Sequence, residues 1–246
     1  MKGIILAGGT GSRLKPITNY INKHLLPVGP FPMIYWPILK LKEAGIENIL
    51  IITNKHHLSS FIELLGNGEE LKVSIQFSIQ KNEGRGIADA LMCAKNYIGQ
   101  EKFIVILGDN IFEDSLIPYI NLFQKQEMGA RVLLKDVSDP MRYGVPQLDQ
   151  SNKQILSIIE KPVNPPSSYC VTGIYMYEPQ VFKLIENLQP SYRNELEITD
   201  VNNLYIAESR LEYDILKGWW IDAGTHKSLF QANMHVYDKK RKEDIG

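Results

Sequence analysis

Short unbroken apolar runs mark the first half of the chain, at 4–7 (IILA), 49–52 (ILII) and 103–107 (FIVIL). They carry no polar alternation, so each is predicted as a strand buried on both faces. Between them apolar residues recur at helical spacing over 33–44, 57–65 and 86–98. Pro27, Pro30 and Pro32 keep the preceding stretch out of helix, and Gly45 and Gly66 stop two of the helices. Residues 73–80 alternate as a strand does. Strands alternating with helices at this spacing predict βαβ units and a mostly parallel sheet, with ligands at the carboxyl ends of its strands.

The second half has a different pattern. Residues 144–145 and 155–159 flank the polar stretch DQSNKQ and are predicted to form a hairpin. A strand follows over 171–177, helices over 180–188 and 196–208, a strand over 211–216 and a helix over 226–237. The run DKKRKED is expected to be a solvated tail. There is no linker and no internal repeat. The reading is one domain over 1–246, with a first half over about 1–135 and a hairpin-bearing half over about 136–246.

Composition narrows the possibilities. A net charge of −1 over 246 residues argues against a general binder of nucleic acid or membrane surfaces. The two cysteines, Cys93 and Cys170, form no framework and are expected as buried small hydrophobes in a reducing compartment. The amino terminus lacks the long apolar core of a signal peptide, and no run of ~18 apolar residues exists. The cytoplasm is the expected location.

Chemistry concentrates after the first strand. Gly8, Gly9, Thr10, Gly11 and Ser12 are followed by Arg13 and then Lys23, and no Asp or Glu occurs before Glu43. A glycine-rich, carboxylate-free, cationic loop suits phosphates. A plain tight turn is the alternative. A dinucleotide fingerprint fails at Leu14, and the ATPase loop fails for want of Gly-Lys-Ser/Thr. Asp109 follows a buried strand, where a metal ligand and an Asx turn or helix cap are about equally expected. Asp222 repeats that placement. Glu160-Lys161 by itself reads as a surface ion pair. The histidines show no metal spacing.

The segments LAGGTGSRLKPIT, NKHLLPV and PMIYWP closely resemble the amino-terminal signature of the sugar-1-phosphate nucleotidylyltransferases, and most of all the glucose-1-phosphate thymidylyltransferases. LGDN, RYGV, EKP, VTGIY, ELEITD and WWIDAGT extend the resemblance over nearly the whole chain. It implies an α/β fold, a Rossmann-like, mostly parallel sheet flanked by helices, with β-hairpin additions for a sugar site in the second half. It implies transfer of a thymidylyl group from dTTP to glucose 1-phosphate by Mg²⁺-assisted in-line displacement. Arg13, Lys23, Asp109 and Lys161 would be catalytic, with Asp109 and Asp222 holding Mg²⁺. Leu6, Gly8, Gly9, Thr10, Gly11, Gln80 and Gly86 would bind the nucleotide. Gly144, Glu160, Lys161, Val171, Thr199 and Trp220 would bind the sugar phosphate. A nucleoside triphosphate and a sugar 1-phosphate are the implied partners, and a homo-oligomer, first of all a dimer, is expected.

Three departures from the pattern stand out. KNEGR, between Gln80 and Gly86, is one residue longer than expected, Asp89 stands where Gln is more usual, and Phe31 replaces a frequent Lys. A further carboxy-terminal helical segment, which the resemblance implies for long members, is expected to have no counterpart in these 246 residues. Two other readings stay open: the same reaction with UTP, CTP or GTP or another sugar 1-phosphate, and a non-catalytic nucleotide-sugar sensor. A sensor would be expected to have lost Arg13, Lys23 or one of the aspartates, and all are present.

Overall fold

A computed structural model describes residues 1–81, 84–151 and 153–243. Thirteen strands are defined among them: β1 (Lys2–Leu6), β2 (Pro27–Val28), β3 (Phe31–Pro32), β4 (Asn48–Thr53), β5 (Ser74–Ile79), β6 (Phe103–Leu107), β7 (Asn110–Phe112), β8 (Ala130–Asp136), β9 (Gly144–Leu148), β10 (Ile155–Glu160), β11 (Tyr169–Tyr177), β12 (Leu211–Ile215) and β13 (Trp220–Asp222). The α-helices are α1 (Tyr35–Glu43), α2 (Leu58–Leu65), α3 (Ile87–Met92), α4 (Lys95–Ile98), α5 (Ile117–Lys125), α6 (Val181–Glu186), α7 (Ile198–Ala207) and α8 (His226–Glu243).

Seven strands make one sheet in the order β12-β8-β11-β6-β1-β4-β5. β1 runs parallel to both neighbours, with Ile4 opposite Val105 on one side and Leu50 on the other. Alternate residues of β1 enter different cores. Ile4 and Leu6 pack with Ala88, Leu91 and Phe182, and Ile5 and Ala7 pack with Ile38, Leu41 and Phe61. That is why the run is unbroken: both faces of the strand are covered by helices. β4 and β5 extend the sheet on one side of β1, and β6 begins the other side. The crevice between the ends of β1 and β6 is therefore a topological switch point.

β11 is antiparallel to both β6 and β8. Its amino-terminal end thus reaches the carboxyl end of β6, bringing Val171 and Gly173 to the crevice. The expected hairpin forms as β9 and β10, in register from Gly144 opposite Glu160.

Several predicted elements need correction. The helix over 86–98 is broken into α3 and α4, because the Cys93 and Ala94 amides bond three residues back, to Ala90 and Leu91 at 3.1 and 2.9 Å, in a tighter turn. The helices over 33–44 and 196–208 start later, at Tyr35 and Ile198, and α8 continues through the charged run to Glu243. Cys170 is buried, whereas Cys93 is only half-buried. The sheet is mostly parallel as expected, with β11 antiparallel to both its neighbours, while β8, α5 and the β7–β13 ribbon are unpredicted elements. No helix among the described residues is long and apolar enough to cross a membrane.

Candidate active site

A cleft of about 800 Å³ opens over the carboxyl ends of β1 and β6. Every predicted site residue lines it except Gly11. Gly11 acts one step away. Its φ of 65° starts the 3-10 turn Ser12–Leu14 that carries Arg13, and its carbonyl accepts the Thr18 hydroxyl at 2.7 Å.

Lys23 and Asp109 form a direct ion pair at the floor of the cleft. Lys23 rides on a second 3-10 turn, Lys23–Leu25, capped by Asn22, whose Oδ1 accepts the His24 amide at 2.9 Å. The same oxygen lies 2.7 Å from His24 Nδ1, so that nitrogen carries the proton. Asn22 in turn donates to the Ala7 carbonyl at 3.1 Å, tying this turn to the end of β1. Burial, and then the Lys23 charge, bring the His24 pKa down to about 3. Sequence reasoning passed over Asn22 and His24; the clamp between them is a matter of geometry rather than of spacing.

Burial pushes the Asp109 carboxyl up, but the charge of Lys23 and its bond to the carboxylate more than reverse this, leaving the group below the ordinary carboxylate range. Asp222 moves the other way. Burial and then the negative charge of Asp109 raise it. The two are brought together by the β7–β13 ribbon, in which Asp222 faces Asn110, and by the Ala223 amide, which donates to the Asp109 carbonyl at 2.8 Å. A Cβ placed on Gly224 would lie 2.7 Å from Asp222 Oδ1, 2.8 Å from the Arg13 guanidinium and 3.2 Å from Asp109 Oδ2. Arg13 and Asp222 are 3.7 Å apart. Two carboxylates and two cations thus converge on one small volume.

That donor set fits a hard divalent cation. Mg²⁺ takes one or two protein carboxylates and completes its shell from phosphates and water. Among the described residues no group of three or more His, Cys, Asp or Glu gathers to hold a metal, here or elsewhere, so at this site the protein offers two carboxylates.

Asn110 ties the floor to the opposite wall. Its Oδ1 accepts the Gly173 amide and the Trp220 indole N–H, both at 2.8 Å. Trp220 is thereby held against Tyr143, edge to face, at 5.5 Å.

The far side of the cleft is built by β10 and α7. Asn203 on α7 bonds both backbone groups of Ile158, at 2.9 and 2.8 Å. One helical turn back, Thr199 donates to Glu160 Oε2 at 2.6 Å. Glu160 lies two residues beyond Ile158 and so shares its face. Gly144 faces this pair; a Cβ there would meet Thr199 Oγ1 at 3.1 Å. Lys161 lies 3.6 Å from Glu160 and is more exposed.

Arg193, absent from the predicted set, also lines the cleft. It is 4.0 Å from Glu160, 2.7 Å from Glu195 and 3.0 Å from Glu197. An arginine so close to the ELEITD block was the available signal.

At the other end, Gln80 follows β5 and Gly86 opens α3. Gly86 has φ 97° and backs directly onto the Leu196 backbone, leaving no room for a side chain. Residues 82 and 83 of the lengthened KNEGR stretch lie outside the described residues.

Residues 2–239 match the family model for the nucleotidyl transferases. A glucose-1-phosphate thymidylyltransferase from Xanthomonas campestris pv. campestris is 44% identical over 234 residues, covering 94% of this chain and 79% of that one. A candidate glucose-1-phosphate thymidylyltransferase from Bacillus anthracis, solved in complex with a sucrose, matches with a TM-score of 0.92 and 52% identity over 97% of this chain and 96% of that one. A UDP-glucose pyrophosphorylase complexed with UDP-glucose matches with a TM-score of 0.85 and 27% identity, over 97% and 98%.

Proposed function

The chain belongs to the nucleotidyl transferase family, and on that premise we propose that it transfers a thymidylyl group from dTTP to glucose 1-phosphate, releasing pyrophosphate. The single observation that carries this reading is the convergence of Arg13, Asp109 and Asp222 around Gly224, with Lys23 paired to Asp109. The Xanthomonas relative named for this reaction supports the choice of substrates.

A phosphate oxygen of the sugar 1-phosphate attacks the α-phosphorus of the triphosphate. A new P–O bond forms, the α–β bridging bond breaks, and its electrons leave with pyrophosphate. Two anions must meet, so the protein's task is alignment and charge neutralisation. Arg13 neutralises the triphosphate and the five-coordinate α-phosphorus. Lys23 sits between the phosphates of both substrates. Asp109 and Asp222 hold Mg²⁺, which when bound supplies Lewis-acid stabilisation of the phosphoryl oxygens. Glu160, fixed by Thr199, accepts hydrogen bonds from sugar hydroxyls, with the Gly144 and Val171 backbones alongside. Lys161 binds the sugar phosphate. The bare edges of Gly8, Gly9 and Thr10 receive the triphosphate, and Gln80 and Gly86 receive the base. No side-chain nucleophile is required.

The test is a pyrophosphate-release screen of four triphosphates against several sugar 1-phosphates. dTTP with glucose 1-phosphate should give the highest kcat/KM. UTP stays in the same screen because of the likeness to a UDP-glucose pyrophosphorylase. A tenfold higher kcat/KM with UTP or GTP would contradict the assignment.

A further inference from the structure

Charge is unevenly distributed along the cleft. Arg13, Lys23, Asp109 and Asp222 crowd the β1–β6 crevice, whereas Gln80 leaves β5, at the far edge of the sheet. Among the described residues, the lining toward Gln80 includes the bare backbone of Gly8 and Gly86 and the apolar side chains of Ile87 and Ala90. Phosphates suit the first end, and a flat, uncharged heterocycle suits the second.

Among the described residues, one hydrogen bond fixes the orientation of the buried Gln80 side chain. Its Nε2 donates to Asp89 Oδ2 at 3.0 Å. Its Oε1 points the other way, 2.9 Å from where a Cβ on Gly8 would stand. A carboxylate accepts and does not donate. Turning the amide over would set two oxygens against each other, so the Asp89 side chain permits one orientation only.

We propose that Asp89 is a specificity-determining positioning residue. It locks the Gln80 amide with its oxygen toward the base, so that the site takes a pyrimidine with an imide N–H and refuses cytosine. The inference rests on the reading of this chain as a transferase that uses a pyrimidine triphosphate. The imide edge of thymine or uracil offers an N–H flanked by carbonyls. The N–H pairs with Oε1, and one carbonyl pairs with the remaining Nε2 hydrogen. Cytosine offers a lone pair at that ring nitrogen, which faces Oε1 acceptor to acceptor. A freely turning amide would accommodate cytosine by rotating, and the locked one does not. Sites built around buried hydrogen bonds discriminate in this way because the wrong ligand leaves polar groups unpaired.

The experiment measures Kd by calorimetry for dTTP and dCTP with Mg²⁺, on the parent and on Asp89→Asn and Asp89→Ala. Asn can donate as well as accept, and Ala does neither, so both release the amide. The parent should prefer dTTP by ~100-fold or more, and both variants should narrow that ratio ~10-fold or more. A general structural loss would weaken both nucleotides alike; an unchanged ratio therefore overturns the assignment. So does a parent that binds dCTP as tightly as dTTP. Turnover of dTTP with glucose 1-phosphate by the parent is followed separately. An active parent with an unchanged ratio in the variants sinks this inference alone, and a parent that binds no triphosphate sinks the underlying reading with it.

Discussion

Asp222 stands opposite Asn110 in a three-residue antiparallel ribbon, and this brings its carboxylate beside that of Asp109. The two aspartates are far apart in the chain and arrive by different routes. Asp109 leaves the central sheet at the end of β6, and Asp222 comes in on β13, outside that sheet. Burial and the neighbouring charge of Asp109 raise the Asp222 carboxyl, as expected for two like charges that share one site.

In the proposed function a shared cation would make the two aspartates one unit. Asp109→Asn and Asp222→Asn should each nearly abolish turnover at low Mg²⁺, and the double variant should lose little more. A double-mutant cycle on kcat/KM across a Mg²⁺ titration reads this. Simple additivity, or a single variant with the parent's Mg²⁺ dependence, would separate them.

Arg13 is about half exposed and 3.7 Å from its nearest carboxylate, so its pairing in the free protein is weak. In the proposed function its charge would be available to substrate. Arg13→Ala should lower kcat ~10²-fold or more, the scale for one donor to a transition-state oxyanion, and raise KM far less. Normal kcat with weakened triphosphate binding would remove Arg13 from the chemistry.

In the proposed function the β10–α7 wall, where Thr199 holds Glu160, takes the sugar phosphate. Glu160→Gln should weaken glucose 1-phosphate by ~10-fold or more, in line with ~1.5–3 kcal/mol for a hydrogen bond to a charged group. dTTP affinity should be untouched. Equal weakening of both ligands in calorimetry would make Glu160 structural.

His24 predicts an acid sensitivity. The unfolded chain takes up a proton on this ring below about pH 6.5, whereas the folded chain refuses it until about pH 3. The His24 contribution is therefore complete above pH 6.5 and is lost as pH falls through that window, at ~1.4 kcal/mol per pH unit. In urea unfolding at pH 7 and pH 5, the parent should lose ~2 kcal/mol more than His24→Gln. Identical losses would show that the ring is protonated in the folded state.

Much of this site is legible in the residues. Ile4 to Ala7 and Phe103 to Leu107 read as buried strands because helices cover both faces, and the chemistry follows directly at Gly8–Arg13 and Asp109. The β8 strand was missed because Arg131 and Lys135 leave only three apolar residues between them; the structure accommodates the Arg131 charge by pairing it with Asp214 on β12 at 2.5 Å. The β7–β13 ribbon is too short for any periodicity to register, so the spatial meeting of Asp109 and Asp222 came from resemblance and not from pattern. The break between α3 and α4 was hidden because the apolar spacing runs through it unbroken. The Gln80–Asp89 bond was invisible for another reason. Asp89 could be noticed as a departure, but only the folded chain shows which amide it holds.

The most direct test follows the α-phosphorus itself. The protein is incubated with dTTP labelled at that atom, Mg²⁺ and glucose 1-phosphate, and the products are separated. Label should appear in dTDP-glucose, with one pyrophosphate released for each label transferred, only when the sugar phosphate is present, and Asp109→Asn should transfer almost none. Label retained covalently on the protein, or pyrophosphate released at the same rate without glucose 1-phosphate, would contradict direct thymidylyl transfer.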